Sequence, residues 1–386
     1  MPHIHIKKPQ LHIHFQHASA QILAFMKKNA VLCAAIVAAI ITSFIVPPDA
    51  QYLDYFDWKT LTCLFCVLAV VCAFKNIRFF FVLAEKIVLL FKTARTSVLA
   101  LTYVTFIGSM LIANDMALLT FLPLGYLVLT TTGKEKYMAF TFIMQNIAAN
   151  LGGMLTPFGN PQNLYLYTKF NIPTGEFTMI MLPPFLISVA LITLCCLIFV
   201  KKDPLTIADE KIKLPFWRTA IYCVLFALSI VIVFRIIPFW IGLIVIPIAL
   251  LFMDRKALKD VDYGLLFTFV AFFIFAGNMS RIPAVQNVFA KLLEKNTLLV
   301  SIFSCQIISN VPSAILLSQF TNNYSALLLG VNIGGVGTLI SSLASLITFR
   351  EYTSHNPGKA GKYIALFSAF NFAFLIILTL TSYLFL

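Results

Sequence analysis

Charged residues are scarce in this sequence. Only 11% of its 386 residues are Asp, Glu, Lys or Arg, and 60% are hydrophobic. Soluble domains carry roughly 25% charged residues, so the composition excludes a soluble globular protein and predicts an all-α polytopic membrane protein in the cell membrane. No basic soluble domain is long enough to bind nucleic acid, and the lipid bilayer is the expected surrounding.

Motifs for chemistry are also missing. The sequence has no P-loop, no HExxH, no Ser/His/Asp arrangement and no paired carboxylates that would form an acid–base pocket. These absences argue against an enzyme and an ATP-driven pump, so we expect no catalytic residue, no metal site, no cofactor and an ion gradient as the energy source. The eight Cys lie in apolar segments, where small buried hydrophobic side chains are the simplest interpretation.

Two polar runs interrupt the apolar sequence. Residues 146–167 (NIAANLGGMLTPFGNPQNLYLY) carry three Gly, two Pro and four Asn, and residues 332–349 (NIGGVGTLISSLASLITF) form a similar run about 190 residues later. Non-helical backbone at membrane depth survives only where protein buries it or water reaches it. Two broken helices at matching positions of two halves are a pointer to a transport site.

The spacing of apolar and polar runs predicts two inverted-topology repeats, each with a re-entrant hairpin and a broken transmembrane helix. Residues 97–131 are too long for one span and are interrupted at 113–116, which favours a hairpin. The predicted organisation is a cytoplasmic tail (1–30), a first repeat (31–200, with hairpin 97–131 and broken helix 137–168), a cytoplasmic linker (201–218) and a second repeat (219–386, with hairpin 297–320 and broken helix 325–349).

Basic residues predict the orientation. With the N-terminus cytoplasmic and the C-terminus extracytoplasmic, 22 of the 28 Lys and Arg would lie inside, as the positive-inside rule requires. Lys27 and Lys28 then hold the first membrane helix by a basic flank. The tail contains five of the six His, and we favour a disordered tail over a metal site because no scaffold would fix the ligands.

Asp115 is the sharpest candidate for transport chemistry. It is the only acidic residue that we place deep in the membrane region, where an ionisable side chain predicts a functional site. The function would be to carry a proton or to bind a cation, and the alternative is a cap for the returning half-helix. Its neighbour Asn114 corresponds in position to Asn310, at the interruption of the second predicted hairpin. An amide side chain can bind a cation through its oxygen and an anion through its NH₂ group.

The other candidates surround the two breaks. Ordinary helix packing competes seriously as an explanation for Ser342 and Ser345, but poorly for Gly159-Asn160-Pro161, because proline disfavours helix at the residue before it. No Lys or Arg falls in 97–133, 137–168 or 297–349, so helix N-termini, amides and hydroxyls would hold an anion. The candidate residues of the approaches and breaks are Asn146, Asn150, Gly153, Thr156, Pro157, Gly159, Asn160, Pro161 and Asn163, and Asn332, Gly337, Thr338, Ser341, Ser342 and Ser345.

Four stretches resemble the ion transporter superfamily, which includes arsenite permeases, citrate transporters and divalent anion/sodium symporters. They are ANDMALL (113–119), GGMLTPFGNPQN (152–163), SNVPSAILL (309–317) and GTLISSLA (337–344). The resemblance implies an elevator-type secondary transporter and leaves a homodimer open. It also implies that coupling ion and substrate bind at Asn114, Asp115, Gly153, Thr156, Pro157 and Asn160, and at Ser309, Asn310, Gly337, Thr338 and Ser341.

The tips differ from those of the dicarboxylate symporters, which tend to read Ser-Asn-Thr at both. Here they read Ala-Asn-Asp and Ser-Asn-Val, which is more similar to the arsenite-permease or sodium/proton-antiporter branches. The leading hypothesis is a proton- or sodium-driven transporter of a small carboxylate, an oxyanion or neutral arsenite. The alternatives are a sodium/proton antiporter and, from another class, a channel or receptor, which the repeated broken helices disfavour.

Overall fold

The computed structural model describes residues 29–205 and 214–385, and this part of the chain is helical, with no β-strand. The His-rich tail and residues 206–213 of the linker lie outside the described residues. The α-helices of the described part are α1 (Ala30–Ile45), α2 (Trp58–Asn76), α3 (Phe79–Val88), α4 (Ala94–Ile112), α5 (Asn114–Thr131), α6 (Met138–Gly152), α7 (Pro161–Lys169), α8 (Thr174–Phe199), α9 (Phe216–Val233), α10 (Phe239–Met253), α11 (Arg255–Lys259), α12 (Tyr263–Ser280), α13 (Pro283–Ile308), α14 (Asn310–Leu317), α15 (Tyr324–Ile333), α16 (Leu343–His355) and α17 (Ala360–Ser382).

Six helical segments within the described ranges are long and apolar enough to cross a membrane, which is in accord with an all-α polytopic membrane protein. Helices α1, α10 and α15 are apolar but shorter than 18 residues. The six segments are Trp58–Asn76, Ala94–Ile112, Thr174–Phe199, Phe216–Val233, Arg255–Ser280 and Ala360–Ser382.

Aspartates begin two helices at corresponding places. Asp57 accepts a hydrogen bond from the Thr60 amide at 2.9 Å and starts α2, and Asp262 accepts one from the Leu265 amide at 2.9 Å and starts α12. Both are N-caps, in which a side-chain oxygen satisfies an amide that the helix leaves free. The similarity between Asp57-Trp58 and Asp262-Tyr263 in sequence is therefore a similarity in structure.

Single residues separate two further pairs of helices. Ala113 lies between α4 and α5 at φ 67°, ψ 153°, and Ser309 lies between α13 and α14 at φ 76°, ψ 162°. A positive φ is uncommon for a residue with a side chain, so the same strained geometry at both places identifies two turns of one kind. We call them the first and second tip turns.

Helix also stops and restarts at two places inside buried sequence. The first break, residues 153–160, separates α6 from α7, and the second break, residues 334–342, separates α15 from α16. Pro161 is the first residue of α7. This position suits proline because an N–H there would have no intrahelical acceptor. Asn163 and Ser345, which the sequence interpretation placed in the breaks, consequently lie in the first turns of α7 and α16.

Other helix ends differ from the sequence-based bounds. Helix α13 begins at Pro283, well before the predicted hairpin at 297, but it has a non-helical residue at Asn296 (φ −163°, ψ 89°). The Asn296 side chain accepts a hydrogen bond from the Leu299 amide at 2.9 Å, as an N-cap does. The kink lies one residue before the predicted hairpin bound at 297, and charged residues interrupt the apolar pattern of the turns before it.

Candidate functional site

The tip turns present asparagines in the same way. The Oδ1 of Asn114 accepts a hydrogen bond from the Asp115 amide at 3.0 Å, and the Oδ1 of Asn310 accepts one from the Val311 amide at 2.9 Å. Both asparagines are 3% exposed. Each is the first residue of a helix, and its side chain bonds the next amide of that helix, which would otherwise lack an intrahelical partner.

Threonines tie each break to the helix before the corresponding tip turn. Thr156 Oγ1 donates to the Met110 carbonyl at 2.7 Å, and Thr338 Oγ1 donates to the Gln306 carbonyl at 3.2 Å. The acceptors lie three residues before the two tip residues, Ala113 and Ser309. Each break is therefore held against its own tip turn by the same hydrogen bond.

Neutral side chains connect the two halves at their centre. Asn150 Oδ1 accepts hydrogen bonds from Asn114 Nδ2 at 3.2 Å and from Ser342 Oγ at 2.8 Å. Asn160 Nδ2 donates to the Asn150 carbonyl at 3.3 Å and to Asn332 Oδ1 at 3.4 Å. These hydrogen bonds pair most of the buried amide groups, and Asn160 Oδ1 is left without a donor among the described residues.

The network extends along α6 and α7. Asn332 Nδ2 donates to Asn163 Oδ1 at 2.6 Å, and Asn163 Nδ2 reaches the carbonyls of Gly153, Met154 and Thr156 at 3.2–3.3 Å. Asn163 thus stabilises the non-helical backbone of the first break. Its role is in holding the break rather than in forming it.

Asn146 contacts the opposite half one turn earlier. Its Nδ2 donates to Ser345 Oγ at 3.4 Å, and its Oδ1 accepts from Thr348 Oγ1 at 3.4 Å. All three side chains are fully buried. Asn146 joins α6 to α16 and does not line the cavity described next.

Four helix N-termini converge on one cavity of about 130 Å³. It is lined by the first residues of α5 (Asn114, Asp115), α7 (Pro161, Gln162), α14 (Asn310, Val311) and α16 (Leu343), together with the preceding Ser309 and Ser342. The helix dipole adds partial positive charge at each of these ends. The first amides of α14 are already bonded, from Asn310 N–H to the Ser341 carbonyl at 3.0 Å and from Val311 N–H to Asn310 Oδ1 at 2.9 Å, so at this end the dipole is what remains for a ligand. The arrangement suits an anion.

Side chains carry both signs of charge at this cavity. Asp115 lies at its tip-turn end, and its Oδ1 is buried and accepts no hydrogen bond from the described residues. Asp262 and Arg350 also line the cavity. Arg350 follows Leu343 by seven residues and Leu346 by four, so all three lie on one face of α16. A permanent cation therefore borders a site for which the sequence predicted none.

The predicted site residues fall into two groups. Six line the cavity, namely Asn114, Asp115, Pro161, Ser309, Asn310 and Ser342. The others lie in the approaches and breaks around it, and they are Asn146, Asn150, Gly153, Thr156, Pro157, Gly159, Asn160, Asn163, Asn332, Gly337, Thr338, Ser341 and Ser345.

At two glycine positions of the breaks, a larger side chain would not fit. Gly337 has φ 137°, a backbone conformation that other residues rarely adopt, and it packs against the Gln306 side chain. Gly153 packs against Asn160 Oδ1 and lies so close to the Gly159 carbonyl that an added Cβ would approach it to 2.8 Å. Both positions shape the breaks rather than contact a ligand.

Sequence reasoning missed Gln162, Asp262 and Arg350. Gln162 lies between Pro161 and Asn163 in the stretch 152–163, and as the second residue of α7 it lines the cavity. Arg350 ends the arginine-free interval that was measured up to residue 349. The spacing of Leu343, Leu346 and Arg350 was the signal that could have found it.

Comparisons with known proteins agree with this architecture. Residues 21–326 match the citrate transporter family model. An uncharacterized transporter, MJ0456, of Methanocaldococcus jannaschii is 34% identical over 309 residues, covering 80% of this chain and 84% of the relative. The inner membrane protein YbiR of Escherichia coli is 29% identical over 321 residues, covering 80% and 84%. The resemblance to the ion transporter superfamily is thus confirmed, and the chain belongs to the citrate transporter family of multi-pass, non-enzymatic membrane transporters.

Proposed function

We propose that the protein is a secondary active transporter that moves a small anion, a di- or tricarboxylate or an oxyanion such as arsenite, on a proton or sodium gradient. The observation that carries this proposal is the convergence of four helix N-termini on one cavity. Each N-terminus corresponds to about half a positive charge. Together with Arg350 they favour an anion, whereas converging carbonyls would favour a cation.

Alternating access is supported by the paired construction of the site. The two tip turns have the same backbone conformation, and the two breaks use the same threonine-to-carbonyl hydrogen bond. We interpret the pairs as two inverted repeats, each with a re-entrant hairpin and a broken helix. In an elevator-type cycle these elements would carry the anion across the membrane as one unit.

Asp115 is the proposed coupling residue. Its carboxylate lies beside the anion cavity with a buried, unpartnered Oδ1. An ionised carboxylate next to an anion is unfavourable, so a proton or Na⁺ bound at Asp115 would make anion binding easier. Coupling then follows because the loaded site needs both the anion and the cation.

The test uses the purified protein in liposomes that contain a pH-sensitive dye. Sodium gradients are imposed first, and citrate, succinate, sulfate and arsenite are then added one at a time. We expect proton movement, or sodium-dependent uptake of the labelled compound, only when a transported compound is present. Sodium-driven proton movement without any of them would contradict the proposal.

A sodium/proton antiporter is the second candidate, because a cavity with Asp115 and Asp262 offers carboxylates to a cation. In that case Na⁺ and H⁺ would exchange at Asp115 and no anion would be required. The same liposomes distinguish the two functions. The antiporter acidifies or alkalises the lumen with sodium alone, and the anion panel has no further effect.

A further inference from the structure

Helix α3 presents an exposed apolar stripe away from the transport site. Leu83 and Ile87 are exposed and lie four residues apart, so they share one face of the helix. Leu90, in the turn after α3, is also exposed and extends the stripe. Ala84 and Val88 are buried on another face. Helix α3 therefore packs on the protein with one face and presents hydrophobic side chains on the other, as a helix at a membrane surface does.

Four exposed cations surround this stripe. Lys75 and Arg78 precede α3, Lys86 lies within it, and Lys92 follows it. Among the residues that the structure describes, none of the four takes part in a salt bridge. Glu85 is the only acidic residue between the first and the last of them, and it is buried. We call the stripe and the four cations the α3 surface, which presents positive charge together with apolar side chains.

The corresponding segment of the second half carries less charge. It is the start of α13, residues 283–296, which leads into the second tip turn as α3 leads into the first. Two lysines, Lys291 and Lys295, and one acid, Glu294, give it a net charge of +1. The predicted orientation places α3 at the cytoplasmic side and this segment at the outer side. Because the cytoplasmic leaflet carries the negative surface potential, the difference in charge favours a ligand in that leaflet.

We propose that the α3 surface binds anionic phospholipid of the cytoplasmic leaflet, with phosphate groups at the four cations and acyl chains along the apolar stripe. An amphipathic helix buries its apolar face at the boundary between headgroups and acyl chains, and its cations attract anionic lipid. Helix α3 packs against both α4 and α5, the helices on either side of the first tip turn. A lipid bound to the α3 surface therefore contacts the helix that supports this turn.

The experiment measures lipid binding without transport. The full-length protein is purified in a neutral detergent, and phosphatidylglycerol or phosphatidylcholine with the same acyl chains is added in steps while the thermal unfolding midpoint is recorded. A ligand that binds only the folded protein raises this midpoint. We expect phosphatidylglycerol to bind at least ~10-fold more tightly than phosphatidylcholine, because each cation near a lipid surface contributes about a 5-fold factor.

Three results would overturn the proposal. Equal affinity for the two lipids would show that the charge of the headgroup does not matter. A preference that high salt leaves unchanged would contradict an electrostatic origin, because salt screens exposed charges. Glycerol phosphate that raises the midpoint as much as phosphatidylglycerol would identify a site for free phosphate instead of a lipid surface.

Two matched pairs of substitutions locate the effect. Lys86→Gln with Lys92→Gln removes two cations of the α3 surface and should weaken phosphatidylglycerol binding by about 5-fold for each lysine. Lys291→Gln with Lys295→Gln removes two exposed cations at the start of α13 and should leave the affinity unchanged. Equal losses in both pairs would contradict the assignment to α3.

A charge-preserving variant separates charge from folding. Lys86→Arg with Lys92→Arg should retain the preference for phosphatidylglycerol, and its loss there would contradict the proposal. If the glutamine variant at α3 fails to fold, the two lipids and the salt dependence of the unaltered protein still decide. Because no transported compound enters the measurement, its result is independent of whether the proposed transport function is correct.

Discussion

The first tip turn places Asp115 after Asn114, whereas the second places Val311 after Asn310. Around this difference the two regions are alike. Both tips have positive φ, both asparagines accept from the next amide, and both breaks donate a threonine hydroxyl to the helix before the corresponding tip turn. The comparison separates two tasks. The shared backbone builds two tip turns of one kind, and only the first tip turn carries a titratable side chain, Asp115, for the coupling that we propose.

The first prediction removes that group. Asp115→Asn keeps the size of the side chain but cannot release a proton or balance a bound Na⁺, so ion-coupled uptake should fall to background while the protein still folds. Uptake of the transported anion and the thermal unfolding midpoint are measured together. The matched change at the second tip, Val311→Asn, should retain coupling, and fully coupled transport by Asp115→Asn would remove this residue from the mechanism.

The second prediction concerns Gly337 of the second break, whose positive φ has no counterpart in the first break. Gly337→Ala forces a side chain into φ 137° against Gln306, so we expect the free energy of unfolding to fall by about 1–3 kcal/mol and transport to slow. Gly358→Ala is the control, because its φ is 83° but nothing lies within 4 Å of the added atom. It should cost stability without changing KM, and an unchanged KM in Gly337→Ala would argue against a role in shaping the site.

The third prediction tests the centre of the amide network. Asn150→Ala leaves Asn114 Nδ2 and Ser342 Oγ without their acceptor, and each unpaired group costs about 1–3 kcal/mol. Thermal unfolding should show the loss. Ser318→Ala removes a hydroxyl that is hydrogen-bonded to the Tyr165 hydroxyl at 2.8 Å and to the nearby Ile315 carbonyl at 3.0 Å. It should cost less, because Tyr165 keeps a hydrogen bond with Gln319. If the two variants have equal stability, Asn150 is not the connection between the halves.

The fourth prediction measures the similarity of the breaks directly. Thr156→Val and Thr338→Val each replace a threonine by a side chain of nearly the same shape that lacks the hydroxyl. The hydrogen bonds that are lost measure 2.7 Å from Thr156 to the Met110 carbonyl and 3.2 Å from Thr338 to the Gln306 carbonyl. Each should lower the free energy of unfolding by about 0.5–1.5 kcal/mol, with the larger loss for the shorter bond. A loss in only one of the two variants would show that the breaks are supported differently.

The smallest effect on transport is expected at the ion pair between Asp49 and Arg281, which connects a loop of the first half to a loop of the second half. Arg281 donates to Asp49 at 2.6 and 3.0 Å and thereby lowers the pKa of Asp49 below its usual value. A lowered carboxyl pKa stabilises the fold above the unfolded-state value and loses that contribution only as pH falls through the folded-state value, below about 4. Asp49→Asn should therefore leave the pH profile of transport between pH 6 and 8 unchanged, and a shifted profile would point to this pair.

Much of this architecture follows from the sequence because hydrocarbon tolerates few exceptions. Asn-Asp at 114–115 and Gly-Asn-Pro at 159–161 are conspicuous in apolar sequence, and helices do end beside both. The proline also explains why α7 restarts at residue 161. These patterns involve neighbouring residues, and the conformation that neighbouring residues impose is the part of a structure that a sequence predicts best.

Contacts between distant residues were not predictable in this way. Asn150 joins Asn114 and Ser342, which are 36 and 192 residues away, and nothing in the spacing of these residues selects that pairing. The cavity position of Arg350 depends on where α16 begins and which face it turns inward. Gln162 was missed for the same reason, because an amide beside a helix start gains meaning only when the opposite wall is known.

A structure with a bound anion tests the central claim most directly. The protein would be saturated with citrate or malate in lipid nanodiscs, and the density of the bound molecule would be located. The account predicts that a carboxylate of the bound anion lies in the cavity where the N-terminal ends of α5, α7, α14 and α16 meet. An anion bound away from these four N-termini, or a cation in their place, would contradict it.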